Sequence, residues 1–158
     1  MCVRGRSCAG FTLIELAVTI SIAAILIVIA IPSFSKLTAS QRAKTAASEL
    51  YASLLQTRSE AITRNVNVTV SPLAGGWSVG WQILDPANPG IVLESHGAVA
   101  GATIVGPAGG VTYRPSGRVQ AVIAPGFLIT TMSGSTTNYQ CISLNHSGRP
   151  YMQAASTC

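Results

Sequence analysis

The segment "GFTLIELAVTISIAAILIVIAIP", Gly10 to Pro32, decides the fold of this chain. From Phe11 to Ile31 it is an otherwise apolar run of 21 residues that contains a single carboxylate, Glu15. At about 1.5 Å per residue, a helix of this length spans a hydrocarbon core of roughly 30 Å. A charge at the bilayer centre costs on the order of 2.5–3.5 kcal/mol, and less near the edge. An ionisable side chain in such a segment therefore indicates a function.

The residues that flank the apolar run predict its orientation. Arg4 and Arg6 precede it, and the positive-inside rule places that end in the cytoplasm. The run is too long for the apolar region of an ordinary signal peptide, and no small-x-small cleavage site closes it. An uncleaved signal anchor explains the arginines and the length, but it leaves Glu15 without a role.

The composition changes after Pro32. Only 9% of the 158 residues are charged and 48% are hydrophobic, and the apolar excess lies in the first 31 positions. Setting aside Arg4 and Arg6 leaves eight basic against five acidic residues. This balance is weakly basic, and the lysines and arginines form no cluster dense enough to indicate nucleic-acid binding by itself.

The four cysteines fall into two pairs. Cys2 and Cys8 precede the apolar run, on the side where a disulfide is not expected. Cys141 and Cys158 follow it, in an exported compartment where a disulfide persists, and closing that loop stabilises a fold by roughly 3 kcal/mol. We predict a structural disulfide between them, with two free thiols as the alternative. The cysteine and histidine spacing indicates no metal site.

The helix is predicted to continue beyond Pro32. The stretch from Phe34 to Thr63 contains no Gly or Pro, and its apolar residues recur at helical spacing. We predict a membrane-spanning and assembly helix over residues 11–31 and an amphipathic continuation over residues 32–64, kinked at Pro32 because proline lacks the N–H donor. The alternative is two helices separated at this proline.

Residues 65–158 have the pattern of a small β-rich globular domain. Short segments with alternating polarity are separated by Gly and Pro turns, which predicts an antiparallel sheet packed on the helix. Trp77 and Trp81 are four residues apart, which predicts a shared face of one strand and a role in core packing. The fold class is therefore α+β. The candidate strands are VNVTVS (66–71), WSVGWQIL (77–84), IVLES (91–95), ATIVG (102–106), VTYRP (111–115), FLITTM (127–132) and YQCISL (139–144).

The stretch "GFTLIEL", Gly10 to Leu16, resembles the class III signal motif of type IV pilins and type II secretion pseudopilins. The resemblance implies a leader peptide over residues 1–10, cleaved between Gly10 and Phe11 by a prepilin peptidase that also methylates the new amino terminus of Phe11. It also implies a role for Glu15, whose carboxylate would pair with the terminal amine of a neighbouring subunit during assembly. Such a pair compensates two charges that would each be costly alone.

Two internal stretches resemble a narrower group. "GGWSVGWQIL" (75–84) and "VTYRPSGRV" (111–119) are similar to segments of H-type pseudopilins and FimT/FimU minor pilins. The resemblance implies a minor pilin that primes a type IV pilus or lies at its tip, with the H-type pseudopilin of type II secretion as an alternative. The implied partners are other major and minor pilins, the prepilin peptidase, an inner-membrane assembly platform and lipid. The implied location is the inner membrane, single-pass, with the globular domain in the periplasm.

A candidate DNA-binding segment lies near the C-terminus, in "CISLNHSGRPYMQ" (141–153). DNA-uptake members of the FimT branch carry a Gly-Arg-x-Arg motif whose arginines contact phosphates. Gly148 and Arg149 match it, but Tyr151 stands at the second arginine, which removes one phosphate contact. Arg114 and Arg118 would extend a basic patch if the fold brings them close. The alternative is a turn with Arg149 in solvent.

No catalytic constellation is evident in the sequence. No serine lies in a GxSxG motif, the glycines of "VGPAGGV" lack the residues of a phosphate loop, and His96 is interpreted as a turn residue. We therefore expect a structural subunit with no enzymatic activity, no cofactor and no metal.

Overall fold

A computed structural model describes residues 11–158, apart from the side chains of Ile29 and Pro32. The predicted leader, including Gly10, lies outside the described residues. The chain divides into two compact units, Met1–Ser35 and Lys36–Cys158.

One helix, α1, extends from Leu13 to Arg64. Its backbone is helical through position 32, so the alternative of two separate helices is wrong; the kink at Pro32 stays a prediction. The helix ends where Asn65 adopts a left-handed conformation with φ of +56°, as residues that follow a helix C-terminus often do. By length and composition its N-terminal part could cross a membrane.

Within residues 11–158, eight strands form two antiparallel four-stranded sheets. The first has the order β3-β2-β1-β5, with β1 (Val68–Pro72), β2 (Gly80–Leu84), β3 (Val92–Gly97) and β5 (Val111–Tyr113). The second has the order β4-β6-β7-β8, with β4 (Ala102–Val105), β6 (Gly126–Ser133), β7 (Thr136–Leu144) and β8 (Pro150–Gln153). The predicted α+β class, a long helix packed on antiparallel sheet, is confirmed.

The core of the second unit combines one face of α1 with the inner faces of both sheets. Buried helix residues recur three or four apart, as an amphipathic helix requires. From the helix they include Ala43, Ala46, Ala47, Leu50, Leu54 and Ala61, and from the strands Val68, Val70, Trp81, Ile83, Tyr113, Phe127, Ile129, Ile142 and Leu144.

Trp77 does not lie on a strand, contrary to the sequence prediction. Gly75 and Gly76 both have positive φ, which turns the chain after β1 and leaves Trp77 in the β1–β2 connection. Its predicted core role is nevertheless correct, because its ring packs edge-on against Phe127 with centroids 4.8 Å apart. Its indole N–H donates to the carbonyl of Pro107 at 2.9 Å. Trp77 thus packs the β1–β2 connection of the first sheet against β6 of the second sheet.

Candidate functional site

The N-terminus of α1 holds Glu15 in a capping box. Its Oε2 accepts hydrogen bonds from the backbone N–H of Thr12 at 2.9 Å and from the Thr12 hydroxyl at 2.8 Å. In return, the Glu15 N–H donates to the Thr12 hydroxyl at 3.3 Å. These reciprocal contacts satisfy donors that a helix N-terminus leaves unpaired. The sequence interpretation missed this local role, although Thr-x-x-Glu before an apolar run is its usual signature.

Two turns of the globular unit share the tripeptide Ser-Gly-Arg. One turn is formed by "RPSGR" (114–118), and the other is formed by "NHSGR" (145–149). In the first, the Gly117 N–H donates to the Arg114 carbonyl at 2.8 Å, and the Arg114 N–H to the Arg118 carbonyl at 2.9 Å. In the second, the Gly148 N–H donates to the Asn145 carbonyl at 2.9 Å, and the Asn145 N–H donates to the Arg149 carbonyl at 3.3 Å. We call them the twin turns.

The twin turns touch through their glycines. Gly117 and Gly148 have φ of +73° and +81°, and a methyl group on Gly148 would lie 2.0 Å from the Gly117 carbonyl oxygen. That oxygen also accepts a hydrogen bond from Arg58 Nε at 2.9 Å. At about 1.5 Å per residue, Arg58 lies roughly 33 Å along α1 from Lys36. The twin turns therefore lie near the C-terminal end of the helix.

The contact brings together the four residues that the sequence proposed for DNA binding. Arg114 and Arg118 flank one twin turn, Gly148 and Arg149 close the other, and all three arginines are exposed. An open groove of about 550 Å³ lies beside them. Its lining is Arg114, Arg118, Val119, Gln120, Ala121, Val122 and His146. Arg149 is on the adjoining turn and is not part of this lining.

Permanent side-chain charge in this part of the chain is of one sign. Residues 95–158 contain three arginines, all on the twin turns, and no aspartate or glutamate. Among residues 11–158, none of these arginines has a carboxylate partner. Excess positive charge in a concave surface attracts anionic ligands.

The carboxylates of the globular unit have partners elsewhere. Arg64 contacts both Glu60 and Asp85. The pKa of Asp85 lies below its ordinary value, chiefly because the carboxylate accepts a hydrogen bond from the Ala87 N–H and also because it faces the Arg64 cation. These carboxylates are held by their own partners.

A second polar cluster lies where α1 meets the first sheet. Ser53 accepts a hydrogen bond from Trp81 Nε1 at 2.9 Å and donates to Glu94 at 2.9 Å. His96 stacks on Trp81 with ring centroids 4.3 Å apart, and its Nε2 lies 3.3 Å from the Glu49 carboxylate. His96 belongs to β3, so its interpretation as a turn residue is wrong. These contacts join helix to sheet.

Beneath the twin turns, Tyr113 is fully buried, and its hydroxyl has no hydrogen-bond partner among the described residues. Burial raises the pKa of Tyr113 well above its ordinary value, and the nearby positive charge of Arg58 opposes this shift only in part.

The structure contains a disulfide between Cys141 and Cys158, with their Cα atoms 5.5 Å apart. It ties the C-terminal segment to β7 beside the start of β6, where Gly126 approaches Cys158 closely. Among residues 11–158, no group of three or more His, Cys, Asp or Glu side chains is placed to hold a metal ion.

Comparison with known proteins places this architecture in a family. Residues 46–148 match the family model for the type II transport protein GspH, and residues 5–31 match the prokaryotic N-terminal methylation motif. The chain belongs to the GspH family. It is a minor pilin or pseudopilin of the type IV pilus or type II secretion systems, a class of structural subunits that assemble with other pilins in a filament. No curated protein sequence gives a significant match.

Solved structures of a minor pilin and a minor pseudopilin share the fold. The type IV minor pilin FimU of Pseudomonas aeruginosa is 22% identical, with 78% of this chain and 95% of that chain covered at a TM-score of 0.60. A second crystal form of FimU gives a TM-score of 0.59, with 72% of this chain and 94% of that chain covered. The minor pseudopilin EpsH from the type 2 secretion system of Vibrio cholerae is 16% identical, with 72% and 97% covered and a TM-score of 0.55.

Proposed function

We propose that this GspH-family chain is a minor pilin that primes a type IV pilus or lies at its tip. The observation that carries the proposal is a methylation motif directly upstream of a GspH region in one chain. The C-terminal cysteine pair and the stretch "GRP" (148–150) support the pilus rather than the secretion machine. The alternative is an H-type pseudopilin.

In this proposal the chain passes through prepilin processing. The peptidase removes residues 1–10, and Phe11 becomes the methylated amino terminus. Residues 11–31 then hold the subunit in the inner membrane, with residues 65–158 in the periplasm, until the assembly platform extracts it into a filament. The Cys141–Cys158 disulfide supports an exported location, because disulfides persist in oxidising compartments.

Glu15 has the assembly role in this scheme. Its two contacts with Thr12 both use Oε2, so Oε1 has no hydrogen bond among the described residues and is available for a second partner. The cationic amine of Phe11 on an adjacent subunit would compensate the carboxylate inside the membrane. The capping box and the intersubunit pair are therefore compatible.

Intact mass of the protein from native membranes tests the processing step. We expect the loss of residues 1–10, the gain of one methyl group, and two hydrogens fewer for the disulfide. A full-length, unmethylated mass in cells that process other pilins would contradict the minor pilin assignment.

Two substitutions separate the roles of Glu15. Glu15→Gln keeps an oxygen that can accept the Thr12 hydrogen bonds but removes the charge, whereas Thr12→Ala removes the capping hydroxyl and keeps the charge. Pairing with an amine predicts that Glu15→Gln is processed but absent from sheared filaments, while Thr12→Ala still assembles. Equal incorporation of Glu15→Gln and wild type would rule out the ionic pair.

Pilus and secretion functions are distinguished by deletion. A strain lacking this chain should lose most surface pili and retain normal secretion, and the full-length chain should restore piliation. Loss of secretion with normal piliation would instead support the H-type pseudopilin.

A second candidate function, DNA binding, is favoured by the meeting of the twin turns. Their exposed arginines lie together, without carboxylate partners among the described residues. The full-length chain in neutral detergent should bind labelled duplex DNA with a steep salt dependence. Arg149→Ala and the pair Arg114→Ala with Arg118→Ala should weaken binding, whereas Arg42→Ala, an exposed arginine on α1, should not. No binding at low salt would exclude this function.

A further inference from the structure

The loop between β5 and β6 exposes two adjacent aliphatic side chains beside the twin turns. Val122 is 96% exposed and Ile123 is 83% exposed, more than any other large hydrophobic residue described between positions 36 and 158. The loop carries no polar side chain from Ala121 to Gly126. Single exposed apolar residues are common on protein surfaces, whereas these two neighbours form a small continuous apolar patch at the loop tip.

The base of this loop is fixed on both sides. The Gln120 N–H donates to the Thr112 carbonyl at 2.8 Å, and the Gln120 amide oxygen accepts from Asn67 at 3.2 Å. On the other side, the Pro125 carbonyl accepts from the Leu144 N–H at 3.0 Å. The tip is thus held away from the core by hydrogen bonds at its base.

The aliphatic tip shares the groove with positive charge. Val122 lines it together with Arg114, Arg118 and His146. A ligand in this groove meets the guanidinium groups of Arg114 and Arg118 and the apolar side chain of Val122. Nucleic acid offers this combination, because phosphates alternate with the apolar faces of bases. A groove also suits a strand better than it suits a broad bilayer surface.

We propose that Val122 and Ile123 form an apolar wedge that inserts at a base step of DNA while Arg114 and Arg118 hold the flanking phosphates. Proteins that insert aliphatic side chains in this way unstack the step and bend the duplex. The inference rests on the second candidate function above, and it adds a mode of contact that uses no further charge.

Binding of the full-length chain in neutral detergent to a labelled duplex tests the wedge. The double variant Val122→Ser/Ile123→Ser should bind about tenfold more weakly, because the unstacked base step loses the apolar side chains that fill it. The slope of log K against log salt should not change. In contrast, Arg114→Ala/Arg118→Ala should reduce that slope by about two. The matched control is Val105→Ser/Met132→Ser, which removes two exposed apolar side chains from β4 and β6 and should bind like wild type.

A second readout detects unstacking directly. A fluorescent base analogue at the central step should brighten on binding wild type and stay dim with Val122→Ser/Ile123→Ser. Thermal unfolding of each variant checks that the fold is retained, as expected for substitutions at exposed positions.

Three results would overturn the wedge. Wild-type affinity and brightening in Val122→Ser/Ile123→Ser would reject the wedge and leave DNA binding by the arginines intact. No DNA binding by wild type at low salt would reject both the wedge and the second candidate function. Binding to anionic vesicles but not to DNA, lost in the same double variant, would assign the loop to a lipid surface.

Discussion

At the scale of single residues, Tyr113 has an unusual environment. The phenol is fully buried and its hydroxyl has no partner among the described residues, an arrangement that costs roughly 1–3 kcal/mol. Tyr113→Phe removes the hydroxyl and keeps the ring. We expect this variant to be as stable as wild type at pH 7, or more stable by about 1 kcal/mol. Urea unfolding of the full chain in mild detergent, followed by the fluorescence of the buried Trp77 and Trp81, measures the change.

The burial of Tyr113 also predicts how the stability of the fold changes at alkaline pH. Burial raises the pKa of Tyr113, so the native state keeps its proton at pH values where the unfolded phenol, with a pKa of about 10, has lost it. Stability is therefore fully present below about pH 10 and falls as the pH rises further. Tyr113→Phe should flatten this fall, and Tyr139→Phe, at a partly exposed tyrosine, should not. Equal alkaline loss in both variants would contradict the assignment.

The glycine contact between the twin turns makes a second residue-scale prediction. An alanine at Gly148 must adopt a positive φ, which costs about 1–2 kcal/mol, and its methyl group would also meet the Gly117 carbonyl oxygen. Gly148→Ala should therefore lower the free energy of unfolding by at least about 3 kcal/mol. Gly134→Ala is the control, because Gly134 also has positive φ but has no atom within 4 Å of the added methyl group. A similar loss in both would show that the turns are not in contact.

At the scale of elements, the buried face of α1 determines how the helix packs on the sheets. Leu54 is fully buried, whereas its neighbour Leu55 is 40% exposed. Leu54→Ala removes core contacts and leaves a cavity, so it should cost about 2–5 kcal/mol. Leu55→Ala should cost less than about 1 kcal/mol. Urea unfolding of the two variants checks the register of the helix, since a rotated helix would reverse their order.

The elements that the sequence predicts correctly are those with a clear period. The apolar run over residues 11–31, together with helical spacing and the absence of Gly and Pro over residues 34–63, predicts α1, and alternation predicts seven strands. β8 was missed because its four residues begin with proline, show no alternation, and pair only with the end of β7. Trp77 was misplaced because the positive φ of Gly75 and Gly76 converts an apparent strand into a turn.

At the scale of the whole molecule, the candidate sites differ in what the sequence could predict. The motif with Gly10, Phe11 and Glu15 is local, so its assignment needs no fold. The twin turns lie about thirty residues apart in the chain, and only the tertiary contact of Gly117 with Gly148 brings Arg114 and Arg118 beside Arg149. The wedge was not predicted, because exposure of Val122 depends on the core being filled by other aliphatic residues.

The Cys141–Cys158 disulfide acts on the globular unit as a whole. It closes a loop across 17 positions and includes β8 and one of the twin turns. A crosslink of this length restricts the unfolded chain and stabilises the native state by roughly 3 kcal/mol in the chain-entropy model. Cys141→Ser/Cys158→Ser should therefore lower the free energy of unfolding by that amount, and the urea midpoint should fall in proportion. The fold should remain, because its core residues lie mainly on α1 and the inner strands.

Reduction of the wild-type protein provides an independent measurement of the same effect. Dithiothreitol should shift wild type to the midpoint of the double serine variant and leave that variant unchanged. A much larger loss in the variant than in reduced wild type would mean that the buried Cys141 side chain, rather than the crosslink, supplies the stability. The chain-entropy model predicts equal losses of stability in the double serine variant and in reduced wild type, because both lack the crosslink that closes the C-terminal loop.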